Sequence, residues 1–300
     1  MQNLQQLVQS VIVNALREDL GSGDITSRAM LPSSKRIRAR IAAKAPGIVA
    51  GTRMACWAFE AVNPKVRCRI LRQDGQPIRK GEAIIAVDGS AHGIFAAERV
   101  ALNSLGHLCG IATLTREFVR RADTHTVQIL DTRKTHHGLR GLEKYAVRMG
   151  GGHNHRMGMD DAVLIKTNHL RLMGRGARGK GQELVIQHAI QRAKRRCPGK
   201  LIEIEVASLS ELKAALAGWP DVIMLDNWRM ADIRKAVRLR ASISARSALS
   251  VPCAPPLLEV SGGVTLANVR QIAKSGVDRI SIGRLTHSAP ALDVALRVMS

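Results

Sequence analysis

The stretch LIEIEVASLSELKAALAGWPDVIMLDN, Leu201 to Asn227, reads as a strand, a helix and a second strand. LIEIEV and DVIML are short apolar runs of strand length, and the segment between them is helix-like. Strands joined through such a crossover lie parallel. Glu205 and Asp226 fall at the carboxyl ends of these two runs. A carboxylate without a partner in apolar surroundings is costly, so both acids need company. A hard cation such as Mg²⁺, sugar hydroxyls, or a structural ion pair with Arg or Lys would each serve. Glu203, two residues before Glu205, shares its side of the strand, and the pattern alone does not choose between them.

The same rhythm extends in both directions from this unit. VQIL (127–130), AVLIK (162–166), LLEV (257–260) and RISI (279–282) are further strand candidates, each followed by a helix-like stretch. The polar residues cluster just past these strands. In order they are Asp131, Thr132, Arg133 and Lys134, then Lys166, Asn168 and His169, Asp226 and Asn227, Ser261, Gly262 and Gly263, and finally Ser281 and Gly283. A site gathered from the carboxyl ends of many strands is the layout of an α/β barrel, whereas an open sheet concentrates its site at one switch point. Six clear units fall short of eight, so the expected fold is an incomplete, opened α/β barrel.

The first third of the chain differs. Leu4, Leu7, Val8, Val11, Ile12, Ala15 and Leu16 mark one face of a helix that stops at Gly21. Ile37, Ala39 and Ile41 alternate with arginines, Val66, Cys68 and Ile70 repeat that spacing, and AIIAV (83–87) follows turn signals. A long helix runs from about Ala97 to Ala122. This reads as an α+β open-faced sandwich domain over 1–111, preceding the barrel over 112–300, with the last helices able to pack back on the first domain.

Composition narrows the function classes. No apolar run approaches the roughly 20 residues of a membrane span, and the amino terminus lacks the features of a secretory leader, so the expectation is a cytoplasmic protein away from membranes. Five cysteines, scattered and never in C-x-x-C, encode neither a disulfide framework nor a cysteine metal site and are expected to pack as small hydrophobes. The formal charge of +22 raises nucleic acid as a partner. Three Phe, three Trp and one Tyr supply too few stacking platforms, and the only dense cationic run, RAKRRC (192–197), looks like a solvated helix end, so no nucleic-acid partner is expected.

SGG (261–263) and SIG (281–283) close consecutive strands in the last two units. Small residues there let backbone N–H groups approach an anion, and the last two loops of barrels are the usual phosphate site. No P-loop occurs, and GSGD (21–24) continues as Ile25, Thr26 and Ser27 without completing a dinucleotide fingerprint. Arg133, Lys134, His155, Arg156 and Lys166 concentrate positive charge at strand ends and suggest a site for a polyanion. Two rivals use some of the same residues. One is zinc on His153, His155 and His169, which an H-x-H pair supports weakly; the other is a Schiff base on Lys134 or Lys166.

Longer blocks carry a resemblance. EDLGSGDIT (18–26), AAERVALNSLGHLCGIAT (96–113), DTRKTHHGLR (131–140), EKYAVRMGGGHNHRMGMDDAVLIKTNH (143–169), IMLDN (223–227), EVSGGV (259–264) and GVDRISIGRLTHSAPALD (276–293) resemble, in this order, the quinolinate phosphoribosyltransferase family. The resemblance implies that quinolinate and 5-phosphoribosyl 1-diphosphate yield nicotinate mononucleotide, CO₂ and diphosphate, with Mg²⁺ as cofactor, in a homodimer. It implies that Arg99 reaches the partner's site. Thr132, Arg133, Lys134, His155, Arg156 and Lys166 would hold the carboxylates and diphosphate. Glu205 and Asp226 would face ribose and metal, with Lys134, Glu205 and Asp226 as the catalytic set. Ser261, Gly262, Gly263, Ser281 and Gly283 would take the 5′-phosphate. A molybdate-linked relative shares the fold. Two departures stand out: His137 replaces the family's proline in TRKT-x-PGLR, and ASISARSALSVPCAPP (241–256) is an apparent insertion expected to form a surface loop.

Overall fold

A computed structural model describes residues 4–174, 180–247 and 254–299. The chain divides into two compact units. The first takes in the chain to Glu117, then Lys134–Asn154 and the segment from Arg284 onward; the second holds Phe118–Arg133 and His155–Gly283. The division therefore does not follow a single boundary after residue 111, because the chain returns twice to the first unit.

In chain order the elements begin with α1 (Leu4–Leu20), α2 (Ile25–Met30), β1 (Arg36–Ala43), β2 (Gly47–Ile48), α3 (Thr52–Val62), β3 (Arg67–Ile70), β4 (Pro77–Ile78), β5 (Ala83–Ser90) and α4 (Ala91–Ala122). They continue with β6 (Gln128–Leu130), α5 (Arg140–Met149), β7 (Val163–Ile165), α6 (Thr167–Met173), α7 (Lys180–Arg196), β8 (Ile202–Val206), α8 (Leu209–Gly218) and β9 (Val222–Asp226). The last are α9 (Met230–Ser247), β10 (Leu257–Ser261), α10 (Val269–Ala273), β11 (Arg279–Ser281), α11 (Arg284–His287) and β12 (Val294–Met299).

The first unit is built on an antiparallel sheet in the order β12-β1-β5-β3. Ala39, Ile41 and Ala43 of β1 are buried while Arg36, Arg38 and Arg40 are exposed, so one face is covered and the other faces water. At the end of the chain the closing helix α11 joins the first unit, as expected, and a strand, β12, joins its sheet. Gly110 explains how the returning segment fits beside α4: a Cβ there would lie 2.1 Å from the Pro290 carbonyl oxygen, so only glycine leaves room for that backbone. The GSGD stretch is a helix start, with Asp24 accepting the Ser27 N–H at 3.0 Å to cap α2.

The second unit contains a six-stranded parallel sheet in the order β6-β11-β10-β9-β8-β7. Its edges, β6 and β7, are not joined among the described residues, which is the opened form of a barrel short of two strands. The strands alternate. Ile202, Ile204, Val206, Ile223, Leu225, Leu258, Val260 and Ile280 are all buried on one face, the set that packs beneath the helices. Ranks on the opposite face, aligned by strand register, hold Glu203, Glu205, Asp226, Glu259, Ser261, Arg279 and Ser281. A polar inner face is the feature that positions the site.

The apparent insertion begins as helix, since α9 runs unbroken to Ser247; residues 248–253 lie outside the described residues. Ile233 and Ala236 mark the buried side of α9 before the insertion, and residues 241–243 at its start are not buried. Cys56 and Cys109 are buried, Cys68 and Cys197 are half-buried, and Cys253 lies outside the described residues. RAKRRC is the solvated end of α7. No described helix is long and apolar enough to cross a membrane.

Candidate active site

Because all six strands of the second unit run parallel, their carboxyl ends fall along one edge. Leu130, Ser281, Ser261 and Asp226 stand in register across four adjacent strands. The pairing of Ile165 with Ile204 puts Lys166 and Glu205 side by side one residue further on. Thr132 and Arg133 follow β6, and Gly262, Gly263 and Gly283 follow β10 and β11. The structure thus brings Thr132, Arg133, Lys166, Glu205, Asp226 and the SGG and SIG loops to one edge. Arg99, exposed on α4, and Lys134, also exposed, belong to the first unit.

Glu203 and Glu205 differ in depth. Glu203 is 1% exposed and faces His155, whereas Glu205 is half-buried at the edge and accepts the Thr167 hydroxyl at 2.5 Å. Asp226 is also half-buried and takes the Asn227 side-chain N–H at 3.0 Å. Asn227 has a left-handed φ of 59°, and its N–H bonds to the Ser261 carbonyl at 2.8 Å. Gly262 is required beside it: its φ is 82°, and a Cβ would lie 2.2 Å from Asn227 Oδ1. The SGG loop can therefore present its backbone only with glycine at this position.

Below the edge lies a charged layer that the sequence reading did not anticipate. His155 Nε2 is 2.9 Å from Glu203 Oε2 and 3.4 Å from Glu259 Oε1, and Arg279 Nε is 3.6 Å from Glu259 Oε2. Burial opposes charge on the imidazole, but the Glu203 and Glu259 carboxylates outweigh it and push its pKa up to about 9. Burial, then the charge of Glu259, in turn raises the Glu203 carboxyl. Nδ1 of His155 lies 2.8 Å from the Arg156 N–H, a geometry suited to the neutral ring. Nε2 is the nitrogen that His155 turns to the two carboxylates. Its backbone N–H is held by Asp131, which is fully buried, at 2.9 Å.

Arg156 donates to the Ala162 carbonyl at 3.0 Å, and its pKa is lowered first by burial and then by the nearby charge of Arg133. Two guanidinium groups close enough to perturb each other form a place for an anion. Arg133 and Arg156 thus make an electropositive pair in the second unit.

The rival zinc reading does not gather its ligands. His155 is committed to Glu203, and His169 Nδ1 accepts the Lys166 backbone N–H at 2.9 Å. The lysines proposed for a Schiff base are both exposed, without the apolar pocket that activates such an amine.

The family model described as quinolinate phosphoribosyl transferase, N-terminal domain, matches residues 24–109, and that of the C-terminal domain matches residues 111–297. The chain belongs to the quinolinate phosphoribosyl transferase family. A probable nicotinate-nucleotide pyrophosphorylase [carboxylating] of Bacillus subtilis is 38% identical, covering 94% of this chain and 90% of that protein. The nicotinate-nucleotide pyrophosphorylase [carboxylating] of Mycobacterium leprae is 36% identical, with 96% of each covered. Among solved structures, the nicotinate-nucleotide pyrophosphorylase of Francisella tularensis superposes with a TM-score of 0.86 at 33% identity, covering 98% of this chain and 96% of that one. The Ehrlichia chaffeensis protein of the same name gives 0.84 at 35%, over 97% and 98%.

For a member of the quinolinate phosphoribosyl transferase family, the TRKTHHGLR loop lacks its usual proline, yet the structure anchors it elsewhere. The Lys134 carbonyl accepts the Thr286 hydroxyl at 2.7 Å, and the His136 N–H donates to Glu143 Oε2 at 3.2 Å.

Proposed function

We propose that this chain transfers the phosphoribosyl group of 5-phosphoribosyl 1-diphosphate to the ring nitrogen of quinolinate, with loss of CO₂ and diphosphate, to give nicotinate mononucleotide. The family and its carboxylating nicotinate-nucleotide pyrophosphorylases carry the reaction class. What supports it among the residues is the gathering of Arg133, Lys166, Glu205 and Asp226 at the carboxyl ends of the parallel strands, with Arg156 near enough to Arg133 to feel its charge.

The chemistry follows from charge. As the bond from the anomeric carbon to diphosphate breaks, the ribose gains cationic character, which Glu205 and Asp226 offset. Arg133, Arg156 and Lys166 hold the quinolinate carboxylates and the departing diphosphate, while His155 is held in place by Glu203 and Glu259. The SGG and SIG loops offer backbone N–H groups to the 5′-phosphate. Glu205 and Asp226 form an oxygen-only donor set of the kind Mg²⁺ uses alongside substrate phosphates; bound there, Mg²⁺ would neutralise diphosphate charge. Once the ring nitrogen bears ribose, the pyridinium stabilises the carbanion left by CO₂, and that carbon takes a proton from water to give the mononucleotide. The protein's main contribution is to place two polyanions against each other in reacting geometry.

We further propose a cytoplasmic homodimer in which Arg99 serves the partner's site. Mixing Arg99→Ala with Lys166→Ala protein tests this. Each variant alone is expected to make almost no nicotinate mononucleotide, and the exchanged mixture to recover about a quarter of the wild-type rate, since half the dimers are mixed and each has one complete site. A mixture as inactive as its components means that Arg99 acts within its own chain or not at all.

A further inference from the structure

The first unit brings together His107 of α4, His136 of the loop after Lys134, and Glu143 in the first turn of α5. His107 Nε2 lies 3.0 Å and His136 Nδ1 2.6 Å from the same oxygen, Glu143 Oε1. The rings meet edge to face with centroids 5.4 Å apart, and the three ligand atoms all lie within 4.8 Å of one another. The Glu143 side chain has no exposure, while those of His107 and His136 are 27% and 54% exposed.

We propose that His107, His136 and Glu143 form a binding site for a divalent cation of the zinc class. Two imidazole nitrogens and one carboxylate oxygen are the ligands that zinc, cobalt(II) and nickel take, whereas Mg²⁺ favours oxygen alone. The three come from separate elements already converged. Metal bonds of about 2.0–2.1 Å in tetrahedral geometry require ligand atoms about 3.3 Å apart, so each ring needs to withdraw from Oε1 by less than an ångström. Each ring must also carry its proton on the other nitrogen, which leaves a lone pair for the ion. Glu143 is ready as an anion: although burial opposes it, the hydrogen bonds from His107 and His136 hold its carboxyl below the usual range. The half-exposed His136 side leaves the fourth position open to water or a small ligand.

The buried group of His155, Glu203 and Glu259 has a similar composition but is the poorer candidate. Arg279 lies 3.6 Å from Glu259 there, so an incoming cation would meet a fixed positive charge. At the His107 site, by contrast, an ion would tie α4 and α5 to the loop that follows Arg133 and Lys134. Its role is to brace that loop, and it does not depend on the phosphoribosyl-transfer reading.

The test titrates the metal-free full-length protein with Zn²⁺ and with Co²⁺. We expect one tight equivalent, the strong visible absorption of four-coordinate Co²⁺, and a Zn²⁺-dependent rise in melting temperature. His107→Ala and His136→Ala should each weaken this binding at least tenfold, while His188→Ala, altering an exposed histidine of α7, should leave it unchanged. No tight equivalent, equal binding by wild type and both cluster variants, or sensitivity to only one of the two histidines would each overturn the site and leave a hydrogen-bonded loop anchor.

Discussion

Arg133→Ala and Lys166→Ala are each expected to lower kcat/KM for quinolinate by about 10²–10³-fold, the cost of removing one preorganised charged donor from a site where charge moves. Arg156 lies close enough to Arg133 to feel its charge, so losing Arg133 weakens a doubly cationic place for an anion. Lysine at position 133 should recover only part of the loss, since a point charge replaces a planar fork. Melting temperatures of both alanine variants should stay within about 2 °C of wild type, because Arg133 is half-buried, Lys166 is exposed and neither fills the core. Steady-state kinetics with thermal melts on the same samples check this. Near-normal kcat/KM for both variants would remove the cationic edge from the reaction.

Glu259→Ala is expected to act on stability instead. Glu259 is fully buried and faces both His155 at 3.4 Å and Arg279 at 3.6 Å. Removing one member of a buried charged set leaves the others uncompensated, at a cost of about 3–5 kcal/mol. For a protein of this size that is a fall of roughly 10 °C in melting temperature. Glu205→Ala provides the contrast: it is half-buried, its neighbour Thr167 can turn to water, and it should lose activity with little change in melting. Calorimetry on the two variants separates the layers. Equal melting temperatures would show that the charged layer is not structural.

These two layers also mark what was legible in sequence. Each strand of the second unit could be found from its apolar run, and the edge residues from their position after it. The layer beneath was harder to see, because Glu259 and Arg279 sit inside runs that read as apolar strands. The signal was present as a spacing of two: Glu203 before Glu205, Glu259 before Ser261 and Arg279 before Ser281 repeat one side of the strand. Read together across parallel strands, they mark a polar inner face, though the partners in that face come from pairing that no single strand reveals. The return of β12 to the first sheet was missed for a similar reason. VALRVM lacks clean alternation, and its place is set by β1, some 250 residues away in sequence. The His107, His136 and Glu143 cluster likewise joins helices and a loop whose convergence depends on the fold. The histidine pair that stood out in sequence, His153 and His155, draws the eye by adjacency alone.

The fate of one carboxyl carbon reports on the reaction most directly. Quinolinate labelled in the carboxyl group next to the ring nitrogen is incubated with the protein, Mg²⁺ and 5-phosphoribosyl 1-diphosphate, and released CO₂ is counted against nicotinate mononucleotide and diphosphate. All three are expected in equal amounts, and none when the phosphoribosyl donor is withheld. Labelled CO₂ released without the donor, or mononucleotide formed with the label retained, would contradict the proposed reaction.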